Sequence, residues 1–427
     1  MIEGGKPLSG SVVIQGAKNA ALPIMAASLL AEGTTVLENV PNLLDITVMT
    51  NILREIGCKV VQDKGTIYID TTQTKTSHVP EDLMNRMRSS IFLMGPLLAK
   101  YGKTKLYKPG GCAIGERKID IHLDGLRALG ATIEEEGDAI VCSTTQLTGA
   151  DIHLNFPSVG ATENIMMAAV LAKGRTVITN AAREPEIQDL QNFLNAMGAK
   201  VLGAGTDTIT IDGVERLFTC EHRIIPDRIV TGTLIIAAAA TRGQIILYKT
   251  QPAHLTSLIN VIRKSGVQIL IDGDIIKVDS RARVKAVDKI VTAPYPAFPT
   301  DLQSQMMVML SLASGTSIMK ETIFESRLKH VDELARMGAD IRVDMNTAFI
   351  RGVPRLYGAT VEATDLRAGA ALVIAGLAAQ GRTIVEKIHH IDRGYDHIED
   401  ILSSLGAKIV RVTSAVSNSE INETFVQ

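Results

Sequence analysis

L-N-A-M-G-A-K-V, residues 194–201, closes one element and begins another. Leucine and methionine at helical spacing lead to a glycine, and alternating apolar residues follow it. That pattern is expected where a helix ends in a left-handed residue and the chain turns into a strand. The phrase recurs as L-R-E-I-G-C-K-V at Gly57, L-R-A-L-G-A-T-I at Gly130 and I-R-K-S-G-V-Q-I at Gly266. Two more copies are L-A-R-M-G-A-D-I at Gly338 and L-S-S-L-G-A-K-I at Gly406. Successive glycines of the set lie 73, 68, 68, 72 and 68 residues apart, which marks internal repetition.

A second phrase is interleaved with the first. V-L-A-K-G-R-T-V around Gly174 has counterparts at Gly33, Gly102, Gly243, Gly315 and Gly381, each a small-residue apolar helix running into a short strand. The repeating unit reads strand, helix, strand, helix, strand, strand. At about 70 residues it is too large for a thin solenoid and implies compact domains. Six units divide as three plus three. The expected domains are 18–226, which carries a glycine-rich loop at 109–117, and 1–17 together with 227–427. The first strand, residues 11–15, precedes the first full helix and is expected to pair with the second domain. The chain then crosses between domains near residues 16–19 and again near 226–228.

Composition narrows the possibilities. The 427 residues are 46% hydrophobic with a net charge of −2, so the chain folds and carries no broad polyanion-binding surface. Four cysteines without a C-x-x-C pair suit a reducing compartment, and the nine histidines show no metal-binding spacing. Neither a signal peptide nor a membrane span is expected, since the longest apolar runs, such as 368–379, are too short. A cytoplasmic protein is therefore expected, with a polar tail over 413–427.

Charge collects at one place in the unit. The turn before the first helix of each unit holds Lys18 and Asn19, then Arg88, then Ser158, Val159 and Gly160. Later units hold Asp227 and Arg228, Thr300 and Asp301, and Asp365 with Arg367. Before the second helices stand Arg117, Arg183 with Glu184, Arg327, and Asp392 with Arg393. Equivalent turns fall at the same end of their domains, where free helix amides favour anions. Asp227 and Asp365 read most simply as N-caps. Lys18, Arg88, Arg117, Arg327 and Arg393 oppose the helix dipole, so a compensating anion is expected near them. If the two ends face each other, the cleft suits a substrate with several phosphates or carboxylates. Within the loop P-G-G-C-A-I-G-E-R, Cys112 lies between Lys108 and Arg117, where cations and loop amides favour a thiolate. A reactive thiol and a buried small hydrophobe both remain open on these residues alone.

With these residues assembled, the chain resembles the UDP-N-acetylglucosamine 1-carboxyvinyltransferases, a branch of the enolpyruvyl transferase family. The motifs are G-A-K-N-A-A-L-P at Gly16, P-G-G-C-A-I-G at Pro109, P-S-V-G-A-T-E-N at Pro157 and A-R-E-P-E-I at Ala182. F-P-T-D at Phe298, T-D-L-R at Thr364 and H-I-D-R-G-Y at His390 complete them, and the match spans about residues 10–412. The resemblance implies an α/β fold of two inside-out pseudo-barrel domains, each of three βαβαββ repeats, with the active site in the interdomain cleft. It implies transfer of the enolpyruvyl group of phosphoenolpyruvate to the 3′-hydroxyl of UDP-N-acetylglucosamine, with release of phosphate. By the same resemblance Cys112 is the general acid at C3 of the donor and the thiol alkylated by fosfomycin. Asp301 takes the acceptor proton, and Lys18, Asn19, Arg117 and Arg393 cradle phosphoenolpyruvate. Arg88, Arg117, Lys118, Ile119, Asp120, Ile121, Ser158, Val159, Gly160, Asp301 and Ile323 meet the nucleotide sugar. Arg327, Asp365 and Arg367 support the site. No metal or organic cofactor, nucleic acid or membrane partner is implied, and the oligomeric state stays open, a monomer included.

Three positions depart from the family pattern: Phe156 replaces a lysine of some relatives, Lys118 a common proline, and Ser326 a usual asparagine. None removes a catalytic group. Two other readings stand beside this one. The shikimate-pathway enolpyruvyl transferase shares fold and donor, but its members carry an N-A-G-T-type loop where this chain has M-R-S-S at 87–90, and they lack the P-G-G-C loop. A non-catalytic nucleotide-sugar binder would not need Lys18, Cys112, Asp301 and Arg393 together.

Overall fold

The computed structural model describes residues 1–108, 114–115 and 119–412. Its strands form six small sheets, one for each repeat. Most have the same build, a parallel pair extended by two antiparallel strands. In the third repeat, Asp151–His153 runs parallel to Arg175–Thr179, which pairs antiparallel with Thr208–Asp212 and through it with Lys200–Leu202. The short first strand, the helix and the parallel return make one crossover, and the tight hairpin supplies the rest.

The first helix of each repeat is rich in small and apolar residues and mostly buried. These helices are Lys18–Ala27, Met94–Tyr101, Val159–Ala169, Arg228–Ala240, Gln303–Ser311 and Leu366–Ala378. They fill two separate interiors. One buried cluster draws on residues 17–224, and the other on Ile2, Leu8, Ile14 and residues 229–409. The second helices are amphipathic: Thr256–Lys264 turns Leu258, Ile259 and Ile262 inward.

The first strand does pair with the far cluster. Ser9–Val13 runs parallel to Gln244–Tyr248, and in exchange Glu221–Arg223 runs parallel to Thr34–Glu38. The two crossing segments hold each other side by side. Gly16 bridges Pro226, Ala17 N–H donates to the Ile225 carbonyl at 2.7 Å, and Asp227 N–H donates to that of Gln15 at 2.9 Å.

Two repeats depart from the expected unit. In the second, the opening strand shrinks to a single bridge between His78 and Lys105, leaving a sheet of three strands. Pro80 follows at once; it has no N–H for a ladder and leads into the helix Glu81–Arg86. In the sixth, the described residues after Gly406 supply a single strand, Lys408–Ile409. Ile2–Glu3 lies between it and Arg382–Glu386.

The six glycines of the first phrase all adopt left-handed backbone, with φ from 83° to 105°. In the second phrase Gly243 is the exception. Arg242 takes the left-handed turn with φ 55°, while a Cβ on Gly243 would run into the backbone of Leu8. That glycine is needed for close approach instead of turn geometry.

Candidate active site

The helix starts of the two clusters face one another, and carboxylates tie them together. Asp227 caps the helix Arg228–Ala240, its Oδ1 accepting from Ile229 N–H at 2.8 Å and Val230 N–H at 3.0 Å. Its Oδ2 accepts from the backbone N–H of Lys18, at the start of the opposite helix, at 3.4 Å. One buried aspartate thus joins two helix N-termini, where a negative charge is favoured.

Asp45, in the first turn of the helix Leu44–Glu55, was not singled out in the sequence. Its Oδ2 lies 3.1 Å from Lys18 Nζ and its Oδ1 2.9 Å from Nε of Arg393, across the gap. Burial pushes the Asp45 carboxyl up, but the two cations more than reverse this and leave it below its ordinary range. Burial is also the main influence on Lys18 and lowers its pKa, with Asp45 opposing.

Asp301 forms the second centre. Its Oδ1 accepts from Arg327 Nη2 at 2.7 Å and its Oδ2 from Arg367 Nη2 at 3.0 Å. Burial raises its pKa, but Arg367 and Arg327 outweigh that and hold the carboxyl far below the usual carboxylate range. Arg327 also donates to Thr300 Oγ1 at 3.2 Å, and Thr300 donates to Glu321 at 2.9 Å. Glu321 in turn fixes the turn at Ile323 through that residue's N–H at 2.7 Å. Tyr395 Oη, 3.4 Å from Arg367 and 2.8 Å from Thr233, ties in the segment after Arg393. None of Asp45, Glu321, Thr233 and Tyr395 was foreseen. Asp45 stands 12 residues before Gly57, close to the 11 and 13 that separate Arg327 and Arg393 from Gly338 and Gly406, but an acid at a helix start reads as an ordinary partner of the dipole.

The anions expected beside the cationic helix starts are therefore, for Lys18, Arg327 and Arg393, carboxylates of the chain itself. Asp365 behaves as a cap, accepting from Arg367 N–H at 2.8 Å and Ala368 N–H at 3.1 Å. Its contribution is to hold Arg367 toward Asp301.

Asn19 is half-buried in the first turn of Lys18–Ala27, and Arg88 opens the 3-10 turn Arg88–Leu93. Ser158 caps Val159–Ala169 by accepting from Ala161 N–H at 3.4 Å, which leaves Val159 and Gly160 in the first turn. Ile119 and Ile121 are half-buried and Asp120 exposed at the start of Asp120–Ala128. Cys112, Arg117 and Lys118 lie outside the described residues. The loop's described part, Ile114 and Gly115, reaches the opposite side: Ser326 N–H donates to the Ile114 carbonyl at 3.0 Å. Gly115, with φ 142°, lies against Glu325 so closely that a Cβ would collide with it. The other three cysteines have raised pKa values, Cys142 being pushed up to about 12 chiefly by burial. Of the departures, Phe156 is exposed, and Ser326 makes its contact through the backbone.

Residues 2–402 match the family described as EPSP synthase (3-phosphoshikimate 1-carboxyvinyltransferase). UDP-N-acetylglucosamine 1-carboxyvinyltransferase 2 of Caldanaerobacter subterraneus subsp. tengcongensis is 54% identical over 96% of this chain and 99% of its own. The protein of the same name from Carboxydothermus hydrogenoformans is 52% identical over 97% of this chain and 99% of its own. Among solved structures, the enolpyruvyl transferase NikO from Streptomyces tendae superposes with a TM-score of 0.86. It is 25% identical and covers 95% of this chain and 97% of its own.

Proposed function

The chain belongs to the enolpyruvyl transferase family, on its UDP-N-acetylglucosamine 1-carboxyvinyltransferase branch, and from that membership we propose what each group in the gap does. It transfers the enolpyruvyl group of phosphoenolpyruvate to the 3′-hydroxyl of UDP-N-acetylglucosamine and releases phosphate, an early step toward peptidoglycan. The observation that carries the reading is the convergence of Lys18, Arg393, Arg327, Arg367 and Asp301 on one gap between two sets of helix starts.

Lys18, Asn19, Arg117 and Arg393 cradle the donor's phosphate and carboxylate. The thiol of Cys112 gives its proton to C3, and C2 becomes an oxocarbenium-like electrophile. The acceptor's 3′-hydroxyl attacks C2 and its proton goes to Asp301, each proton transfer being worth ~10²–10⁴-fold. Loss of a proton from C3 then expels phosphate and restores the vinyl group. Asp301, held ionised by two arginines, is a weak base. It accepts a hydrogen bond from the hydroxyl in the ground state and takes the proton only late, once bonding to C2 has made that hydroxyl acidic. Arg88, Arg117, Lys118, Ile119, Asp120, Ile121, Ser158, Val159, Gly160 and Ile323 hold the nucleotide sugar, with Arg327, Asp365 and Arg367 in support. Closing the two domains would exclude water from the reactive intermediate, and the bond from Ser326 N–H to the Ile114 carbonyl across the gap fits such an approach.

The same proposal takes 18–226 as one domain and 1–17 with 227–427 as the other, supported by two buried clusters that share no residue. Each group invoked comes from a single chain. Among the described residues no helix is long and apolar enough to cross a membrane. The proposed place of work is the cytoplasm, where phosphoenolpyruvate is made.

The test is phosphate release with phosphoenolpyruvate and each acceptor in turn. Turnover is expected with UDP-N-acetylglucosamine and not with shikimate 3-phosphate. The reverse pattern would transfer the chain to the shikimate reaction, and binding without turnover would make it a nucleotide-sugar binder.

A further inference from the structure

Glu321 is 1% exposed and lies just past the strand Thr316–Lys320, where its backbone N–H donates to the Asn346 carbonyl at 2.9 Å. Its Oε1 accepts from Thr292 Oγ1 at 2.9 Å, Ile323 N–H at 2.7 Å and Phe324 N–H at 3.2 Å. Its Oε2 accepts from Thr300 Oγ1 at 2.9 Å. These donors are all neutral, and the chain of bonds reaches a positive charge one step further on, at Arg327.

Thr300 sets the polarity of that chain. A guanidinium can only donate, so Thr300 Oγ1 accepts from Arg327 Nη1 at 3.2 Å and gives its one hydrogen to Glu321. The other amino group of the same guanidinium, Nη2, meets Asp301 Oδ1 at 2.7 Å. The guanidinium is planar and rigid, so tethering Nη1 directs Nη2. Arg367 engages Oδ2 of Asp301 at 3.0 Å. With both oxygens held, the remaining lone pairs of the carboxylate keep one direction.

We propose, on the reading that Asp301 takes the acceptor's proton, that Glu321 is a positioning residue which acts through Thr300 and Arg327 to aim the Asp301 carboxylate at the 3′-hydroxyl. Its other oxygen holds the amides of Ile323 and Phe324, so one carboxylate sets both the base and the turn assigned to the nucleotide sugar. Without the Thr300 hydroxyl, Arg327 loses its tether and Asp301 one of its two fixed points.

The test compares kcat and both KM values for phosphate release in variants of the full chain. Thr300→Val keeps the shape but loses the hydroxyl, and is expected to lower kcat about tenfold or more. KM for phosphoenolpyruvate should stay within about twofold, because Lys18 and Arg393 rest on Asp45 instead. Thr300→Ser restores the hydroxyl and should keep kcat within about threefold of the wild type. Glu321→Gln offers one acceptor oxygen where the carboxylate offers two, and should lower kcat to a similar degree as Thr300→Val. Combining Thr300→Val with Glu321→Gln should cost little more than the worse single change, as expected of groups acting in one chain. If Glu321→Gln does not fold, the two Thr300 variants decide. Full activity in Thr300→Val, or Thr300→Ser as impaired as Thr300→Val, would overturn the proposal. Losses that multiply in the double variant, or a raised KM for phosphoenolpyruvate with kcat unmoved, would overturn it too. A wild type that releases no phosphate with UDP-N-acetylglucosamine would overturn the proposed function itself, and with it the role named here, whereas an active wild type with unaffected variants fails this inference alone.

Discussion

Asp45 holds a lysine and an arginine from opposite sides of the gap, and its loss would take the carboxylate away from the buried Lys18 ammonium. Removing one partner of a buried ion pair costs roughly 3–5 kcal/mol, so Asp45→Asn is expected to lower the stability of the free protein by about that amount. On the proposed function, phosphoenolpyruvate bound by Lys18 and Arg393 supplies the missing charge. Thermal scans should therefore show a larger ligand-induced rise in Tm for the variant than for the wild type, and equal rises would overturn this role. Cys112→Ala is expected to abolish phosphate release while leaving the unfolding transition in place; retained turnover would remove Cys112 from the chemistry. His330 titrates at a useful pH. Burial pushes it down from its ordinary 6.5 to about 4, with Asp365 pulling the other way. The folded state resists protonation, so the His330 contribution is complete above pH 6.5 and is lost as pH falls toward 4. His330→Gln should flatten that part of the stability profile by on the order of 1–3 kcal/mol, measured by urea unfolding. Lys18, Arg393 and Asp301 were legible because they stand in motifs and at helix starts. Asp45 was not, because an acid in a first helical turn already has an ordinary explanation in the dipole.

Among the elements, the repeated helix ends were the most readable, since a left-handed residue after a helix has few solutions other than glycine. Gly266 tests this cleanly. It has φ 91°, and a Cβ would meet nothing within 4 Å, so Gly266→Ala adds backbone strain without a clash. A loss of about 1–2 kcal/mol is expected by chemical denaturation, and a change too small to measure would contradict the assignment. Where expectation failed, neighbours had intervened. Pro80 cut short the opening strand of the second repeat, and Arg242 took the turn expected of Gly243. Such substitutions depend on what lies alongside in space, which a local pattern does not record.

At the scale of the molecule, the N-terminus is part of the interior. Ile2 is 1% exposed within the second cluster and its strand lies between two strands from the far end of the chain. Ile2→Ala is expected to cost about 2–4 kcal/mol in thermal or urea unfolding, as for a core residue. A cost below about 0.5 kcal/mol would mean that the strand is only an appendage. The paired crossings at Gly16 and Pro226 place Lys18 and Asp227 where the chain passes between the two clusters, so on the proposed function a shift of one cluster against the other would act on the donor's cradle.

The sequence by itself determined the repeat, the count of three plus three, the left-handed glycines and the swap of the first strand. These follow from period, hydrophobicity and backbone sterics, which act over a few residues at a time. Only the tertiary structure decided that Asp45 and Asp301 neutralise the arginines and lysine around them, and that Ile2 completes the sixth sheet. Each of those is a contact between segments distant in the chain, fixed by how buried charges and amides find partners once water has been excluded.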